Sequence, residues 1–243
     1  MRSRRGSGRR LTAVALFAAM AVIGASSCTS ENNGGSGGGG GGRGPMNVGS
    51  DGASNVDEGT LRTTLDALPL ADLTDAEVAG LTQMREEEKL AHDVYSSLGD
   101  QWGVQVFTNI ASSEQTHADA VKALLDRYEL ADPADGLAAG EFKNQDLQGL
   151  YSALVEQGSA SLVAALTVGA TIEDLDIADL RGFATQTPDL ALVYSNLERG
   201  SRNHLRAFTR QLTKSGATYT PAHISQADYD AIVAGAIERG ANG

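Results

Sequence analysis

Glu114 and His117 stand three residues apart in the stretch "SSEQTHADAV". That spacing is close to one helical turn, so both side chains leave a helix on the same face. A carboxylate and an imidazole side by side are two common kinds of metal ligand. Without a thiolate beside them they suit iron or manganese, with zinc as a further possibility. Similar groups recur along the chain: Glu88 in "MREEEKLAHDVY", Glu173 and Asp176 in "IEDLDIADL", and His204 in "NLERGSRNHLRAF".

Helices must position these groups, and the chain from about residue 60 reads as helical. Five main helices are predicted at about 75–98, 104–129, 159–184, 188–213 and 225–238, with a short one near 146–157. "LGDQWG" separates the first two and "TQTPDL" the third from the fourth, so each pair should form an antiparallel hairpin. The stretch 130–158 is a long connection between the hairpins. Two antiparallel hairpins joined by a long crossover is the topology of a ferritin-like four-helix bundle, here all-α with an extra C-terminal helix.

Core-facing positions advance by alternating steps of three and four. The stripes are Leu81, Met84, Glu88, Ala91, Tyr95 and Leu98; then Phe107, Ile110, Glu114, His117, Val121, Leu124 and Tyr128. The later pair gives Leu162, Leu166, Gly169, Glu173, Asp176, Leu180 and Phe183, then Leu190, Tyr194, Leu197, Ser201, His204, Phe208 and Gln211. Each stripe is mainly apolar and is interrupted near its middle by polar residues. Glu88 precedes His117 by 29 residues and Glu173 precedes His204 by 31, so the two hairpins place similar groups at similar heights. Buried unpaired charge is costly, and several carboxylates at one level repel one another. A divalent or trivalent cation is the simplest neutraliser. Glu114 and His117 therefore read as residues that point inward to hold metal. Glu86 and Glu87 fall off the stripe and read as solvated. His92, on a flank, and His223, in a loop after a proline, read as surface residues.

The N-terminus carries a different signal. Five arginines within the first ten residues, then "LTAVALFAAMAVIGASS", describe a secretory signal peptide over residues 1–27. Cys28 is the sole cysteine and stands where a bacterial lipoprotein would be cut and lipidated, so it is the expected lipidation site. Residues 28–60, beginning "CTSENNGGSGGGGGGRGP", read as a Gly-rich flexible linker, and 61–243 as the helical domain with its core at 75–215. The expected location is outside the cytoplasm, on the membrane through the lipid anchor alone, or secreted if no lipid is attached. Removing residues 1–27 takes away five arginines and no acid, so the formal net charge moves from −12 to about −17. Such acidity argues against nucleic acid as a partner.

The four quoted motifs together resemble domain of unknown function 2202, over about residues 75–215, in the neighbourhood of rubrerythrins and other carboxylate-bridged di-iron proteins. Glu88 precedes Tyr95 by seven positions, as a ligand Glu precedes a Tyr in rubrerythrin-type helices. The resemblance implies Glu88, Glu114, His117, Glu173 and His204 as metal ligands, with iron as the cofactor, two ions, and manganese or zinc as alternatives. It departs from the pattern at Ser201, where a fourth helix of this type carries Glu three before its His; Asp176 can supply that carboxylate. The implied activity is oxidase- or peroxidase-type redox chemistry, or ferroxidase chemistry, fed by an external electron donor because no cysteine pair is present. The alternative is a non-catalytic metal-binding or structural module at the cell surface.

Overall fold

The computed structural model describes residues 45–239. The expected signal peptide, Cys28 and the glycine run lie outside the described residues. The order is a β-hairpin, β1 (Met46–Val48) and β2 (Ser54–Val56), followed by seven helices: α1 (Glu58–Asp66), α2 (Asp75–Trp102), α3 (Gln105–Arg127), α4 (Gln145–Ser159), α5 (Leu162–Gly182), α6 (Pro188–Lys214) and α7 (Gln226–Ala234). The protein is an all-α bundle with an additional C-terminal helix.

Helix boundaries follow local chemistry. Thr74 caps α2 and receives the Glu77 amide, while the Glu77 side chain returns to the Thr74 amide, closing a capping box. Gly103, at φ 63°, ends α2 in the left-handed conformation and permits the sharp reversal into α3. Pro188 opens α6, where its missing N–H costs nothing. α2 packs along α3 and α5 along α6, the two expected hairpins, and α4 crosses over α2 and α5.

The core falls into two apolar clusters. One gathers Tyr95, Phe107, Ile110, Leu166, Ile177 and Phe208. The other gathers Leu81, Met84, Val121, Leu124, Leu180 and Leu197. The polar middles of the four stripes lie in sequence between the residues of these clusters. At Gly169 a Cβ would come within 2.4 Å of the Phe208 ring, so only glycine permits the close approach of α5 to α6 there.

The N-terminal boundary differs from expectation. Residues 46–60, included in the linker on composition, form the hairpin and the start of α1. The strands pair antiparallel with Met46 opposite Val56 and Val48 opposite Ser54. Gly52, at φ 100°, allows the turn. β2 lies along α3: the Ser54 amide donates to Ser113 Oγ (3.0 Å) and the Val56 amide to Thr116 Oγ1 (2.9 Å). Met46, Val56, Leu61 and Leu65 enter the second cluster. Three-residue strands are too short to display an alternating pattern, and "VGSDGAS" carries the composition of a linker.

Glu77 also ties two parts of the bundle together. Besides the Thr74 amide and hydroxyl (2.9 and 2.8 Å), it accepts from the hydroxyls of Thr185 and Thr187 in the turn between α5 and α6. These bonds, Thr185 first and Thr187 second, lower its pKa from 4.5 to about 2. A lowered folded-state value stabilises the fold above the unfolded value and loses that effect as pH falls to the folded one. Glu77→Gln should therefore destabilise the protein by about 1 kcal/mol at neutral pH. The difference should shrink between pH 4.5 and about 2, measured by urea unfolding over a pH series.

Candidate metal centre

At the level between the two clusters, α2 contributes Glu88, α3 Glu114 and His117, α5 Glu173 and Asp176, and α6 Ser201 and His204. Glu88, Glu114, His117, Glu173 and His204 are all at most 2% exposed. Glu114 is central. Its Oε2 lies 2.7 Å from His117 Nδ1, and its Oε1 lies 2.8 Å from His204 Nδ1. Outside each imidazole stands a second carboxylate: Glu88 Oε2 is 3.6 Å from His117 Nδ1, and Glu173 Oε2 is 3.5 Å from His204 Nδ1. The two rings are stacked, with centroids 5.4 Å apart. The result is a pseudo-symmetric array, Glu88–His117 and Glu173–His204, on either side of one shared carboxylate.

Glu114 Oε1, Glu88 Oε1 and both Nδ1 atoms are buried without a hydrogen-bond partner among the described residues. The short Glu–His approaches thus lack hydrogen-bond alignment, and lone pairs of several donors converge instead. Ligand atoms of Glu114, His117 and His204 lie within 4.8 Å of one another. Buried polar groups without partners cost about 1–3 kcal/mol each, more when charged. A cation at the convergence point would satisfy several at once. The donor set, carboxylates and imidazoles without sulfur, fits iron, manganese or zinc.

The protonation balance supports the same reading. Burial pushes Glu88 and Glu173 up to about 7, with the Glu114 charge adding to the rise and an imidazole opposing it in each case. Burial drives Asp176 well above the usual carboxylate range, with Glu88 and Glu173 adding to it. Burial works against the charged form of Glu114 too, but His204 and then His117 outweigh it and hold the group ionised. Burial lowers His204, yet Glu114 and Glu173 raise it to about 9. Two imidazoles thus face four carboxylates, Glu88, Glu114, Glu173 and Asp176, at this level.

Asp176 is half-buried and receives a hydrogen bond from Ser201 Oγ. Ser201, at the position where the resemblance leads one to expect Glu, thus holds the carboxylate that α5 provides. Tyr95 donates to Glu173 Oε1 at 2.6 Å and also reaches the Gly169 carbonyl at 3.2 Å. Burial, then the Glu173 and Glu114 charges, keeps the Tyr95 phenol neutral and a donor. His117 Nε2 lies 2.7 Å from the Ser54 carbonyl, a partner that sequence reasoning missed because a backbone oxygen has no residue signature.

Two other expectations, for Glu86 and Glu87, are corrected. Glu86 is buried rather than solvated: it accepts from the amides of Lys143 (2.6 Å) and Asn144 (3.1 Å) at the start of α4. Glu87 turns Oε1 to Gln83 Nε2 (2.7 Å) and sits against Asp179; burial first, then Asp179, pushes its pKa well up. His92 is partly exposed and meets Asp93 at 2.9 Å, outside the cluster. Tyr128 donates to Asp189, away from the centre. Asp174, adjacent to Glu173, is fully buried but points elsewhere. It accepts from Tyr219 and from the amides of Ala222, His223 and Ile224, anchoring the segment before α7.

Fold and site together define an all-α bundle with a buried carboxylate–histidine cluster able to hold metal. The chain belongs to the family described as "Uncharacterized protein domain (DUF2202)", whose model matches residues 77–236. It is 51% identical over 180 residues to uncharacterized protein MJ0754 of Methanocaldococcus jannaschii, covering 73% of this chain and 97% of that protein. The crystal structure of hypothetical protein MJ0754 from Methanococcus jannaschii matches it with a TM-score of 0.69, over 70% of this chain and 99% of that one.

Ser201→Ala should weaken metal binding by about tenfold by freeing Asp176. Its unfolding midpoint should fall by only about a few degrees. Isothermal titration with manganese checks the first and a thermal melt the second; unchanged affinity would place Asp176 outside the centre.

Proposed function

We propose that this protein is a ferritin-like metalloprotein with a dinuclear carboxylate/histidine centre, best suited to two irons. One observation carries the reading: the two oxygens of Glu114 each approach a different His Nδ1, and each of those has its own second carboxylate. In that arrangement Glu114 would bridge, Glu88 with His117 and Glu173 with His204 would each serve one position, and Asp176 would supply a sixth ligand.

Iron held there would supply one-electron redox chemistry toward dioxygen or peroxide. The chain's own residues would orient and insulate it. Tyr95 fixes Glu173, Ser201 fixes Asp176, and the two apolar clusters keep bulk water away above and below. On the carboxylate side, Glu88, Glu114, Glu173 and Asp176 border a cavity of about 20 Å³, roofed by Leu147 and Leu150 of α4. That is room for about one water-sized molecule next to the ligands, which favours a reactive centre over a fully enclosed one. Electrons would come from an outside donor, because Cys28 is the only cysteine in the chain.

The signal-like N-terminus and Cys28 support export and a lipid anchor as the setting. Among the described residues no helix is long and apolar enough to cross a membrane. A second reading is a single structural or stored ion, and the tight grouping of Glu114, His117 and His204 favours it.

The test is metal analysis of protein purified without chelator, followed by anaerobic titration with ferrous iron and admission of air. The expected result is about two irons per chain and a new near-ultraviolet absorption after oxidation. Glu114→Ala and His117→Ala should each lose most of the metal. Asp119→Ala, on the exposed face of α3, should keep it. Equal metal in all three variants would sink the assignment; one inert ion would favour the second reading.

A further inference from the structure

We infer that the N-terminal β-hairpin is a working part of the metal centre. Through the Ser54 carbonyl it fixes His117 as an Nδ1 ligand and so makes the two metal positions unequal, the Glu88/His117 position filling first and more tightly. This rests on the proposed dinuclear reading.

A carbonyl oxygen only accepts, so the 2.7 Å approach of His117 Nε2 to Ser54 O puts the proton on Nε2. In the neutral ring the lone pair is then left on Nδ1, the nitrogen that faces Glu114 and Glu88. The carbonyl is itself held in place. Ser113 and Thr116, which flank His117 on α3, accept from the amides of Ser54 and Val56. The helix that presents the ligand thus grips the strand that orients it. The ring is also bounded on its α6 side. A Cβ on Gly200 would stand 2.6 Å from His117 Cε1 and 2.9 Å from Nε2, and 3.3 Å from the Met46 side chain of β1. Glycine is thus what lets α6 and the hairpin close on the imidazole together.

His204 has no such support. Both its ring nitrogens are buried without a hydrogen-bond partner among the described residues. With Nδ1 on a metal, its Nε2–H would be a buried donor lacking an acceptor, which weakens binding. Orienting partners of metal-bound histidines typically change affinity by about 10- to 100-fold.

The experiment is a manganese titration followed by loss of the free-ion EPR signal. It uses the wild type, His117→Gln, His204→Gln and the double variant Ser113→Ala/Thr116→Val, which releases the strand without touching a ligand. The wild type should load in two steps separated by about tenfold or more. His117→Gln should remove the tight step and His204→Gln the weak one. The double variant should weaken the tight step by about 10- to 100-fold and leave the weak step alone. Gly200→Ala, which presses on the same ring from α6, should give the same selective loss, and it carries the test if a thermal melt shows the double variant unfolded. In zinc-loaded protein, long-range ¹H–¹⁵N spectra should show His117 protonated at Nε2. Two equal steps overturn the inference, as does weakening of both steps or of neither in the double variant. A single ion lost equally with either histidine also overturns it, while leaving metal binding intact. No uptake of manganese or zinc by the wild type overturns the metal reading itself, and the inference with it.

Discussion

The constraint on which the rest depends is the charge balance at Glu114. One buried carboxylate faces two imidazoles, and each imidazole faces another buried carboxylate. Removing such groups from water costs several kcal/mol per ion unless each finds a counter-charge in good geometry. The fold meets that cost by bringing four helices to one level and placing an apolar cluster on each side of it. The helices cannot slide by a turn without pushing a carboxylate into a leucine layer, so the polar level also sets their register.

The surrounding structure serves this level. Glycine at 169 lets α5 approach Phe208, and the carbonyl of Gly169 receives Tyr95, whose hydroxyl is chiefly committed to Glu173. Glu86 holds the start of α4, so the crossover helix lies over the carboxylate side of the cluster. Asp174 uses the position next to Glu173 to bind the segment leading into α7. Neighbouring acids on one helix thus have opposite tasks, because a helical step of one residue turns a side chain by about 100°.

Much of this was legible in the sequence. The polar interruptions of the four stripes are the groups that meet, since three-and-four spacing is a local property that a helix converts directly into a face. The hairpin connections were legible too, because "LGDQWG" and "TQTPDL" are too short for anything but antiparallel neighbours. Glu86 and Glu87 were misjudged because periodicity ranks a residue by its own helix, whereas the crossover and α5 come over and bury the flank on which they stand. α1 and the β-hairpin were hidden by a composition that reads as linker.

What the sequence alone determined is the fold class, the order of the four bundle helices and the inward-facing polar groups of their shared level, all of which follow from residue type and spacing within a segment. Only the tertiary structure decided the pairing. It made Glu114 the shared carboxylate, put Asp176 under the hydroxyl of Ser201, and aimed the Ser54 carbonyl at His117 from 63 residues away. These depend on contacts between segments, and one of them is made by a backbone atom that every residue type possesses. No pattern of side chains along the chain can announce such a contact; it exists only once the hairpin has closed over the bundle.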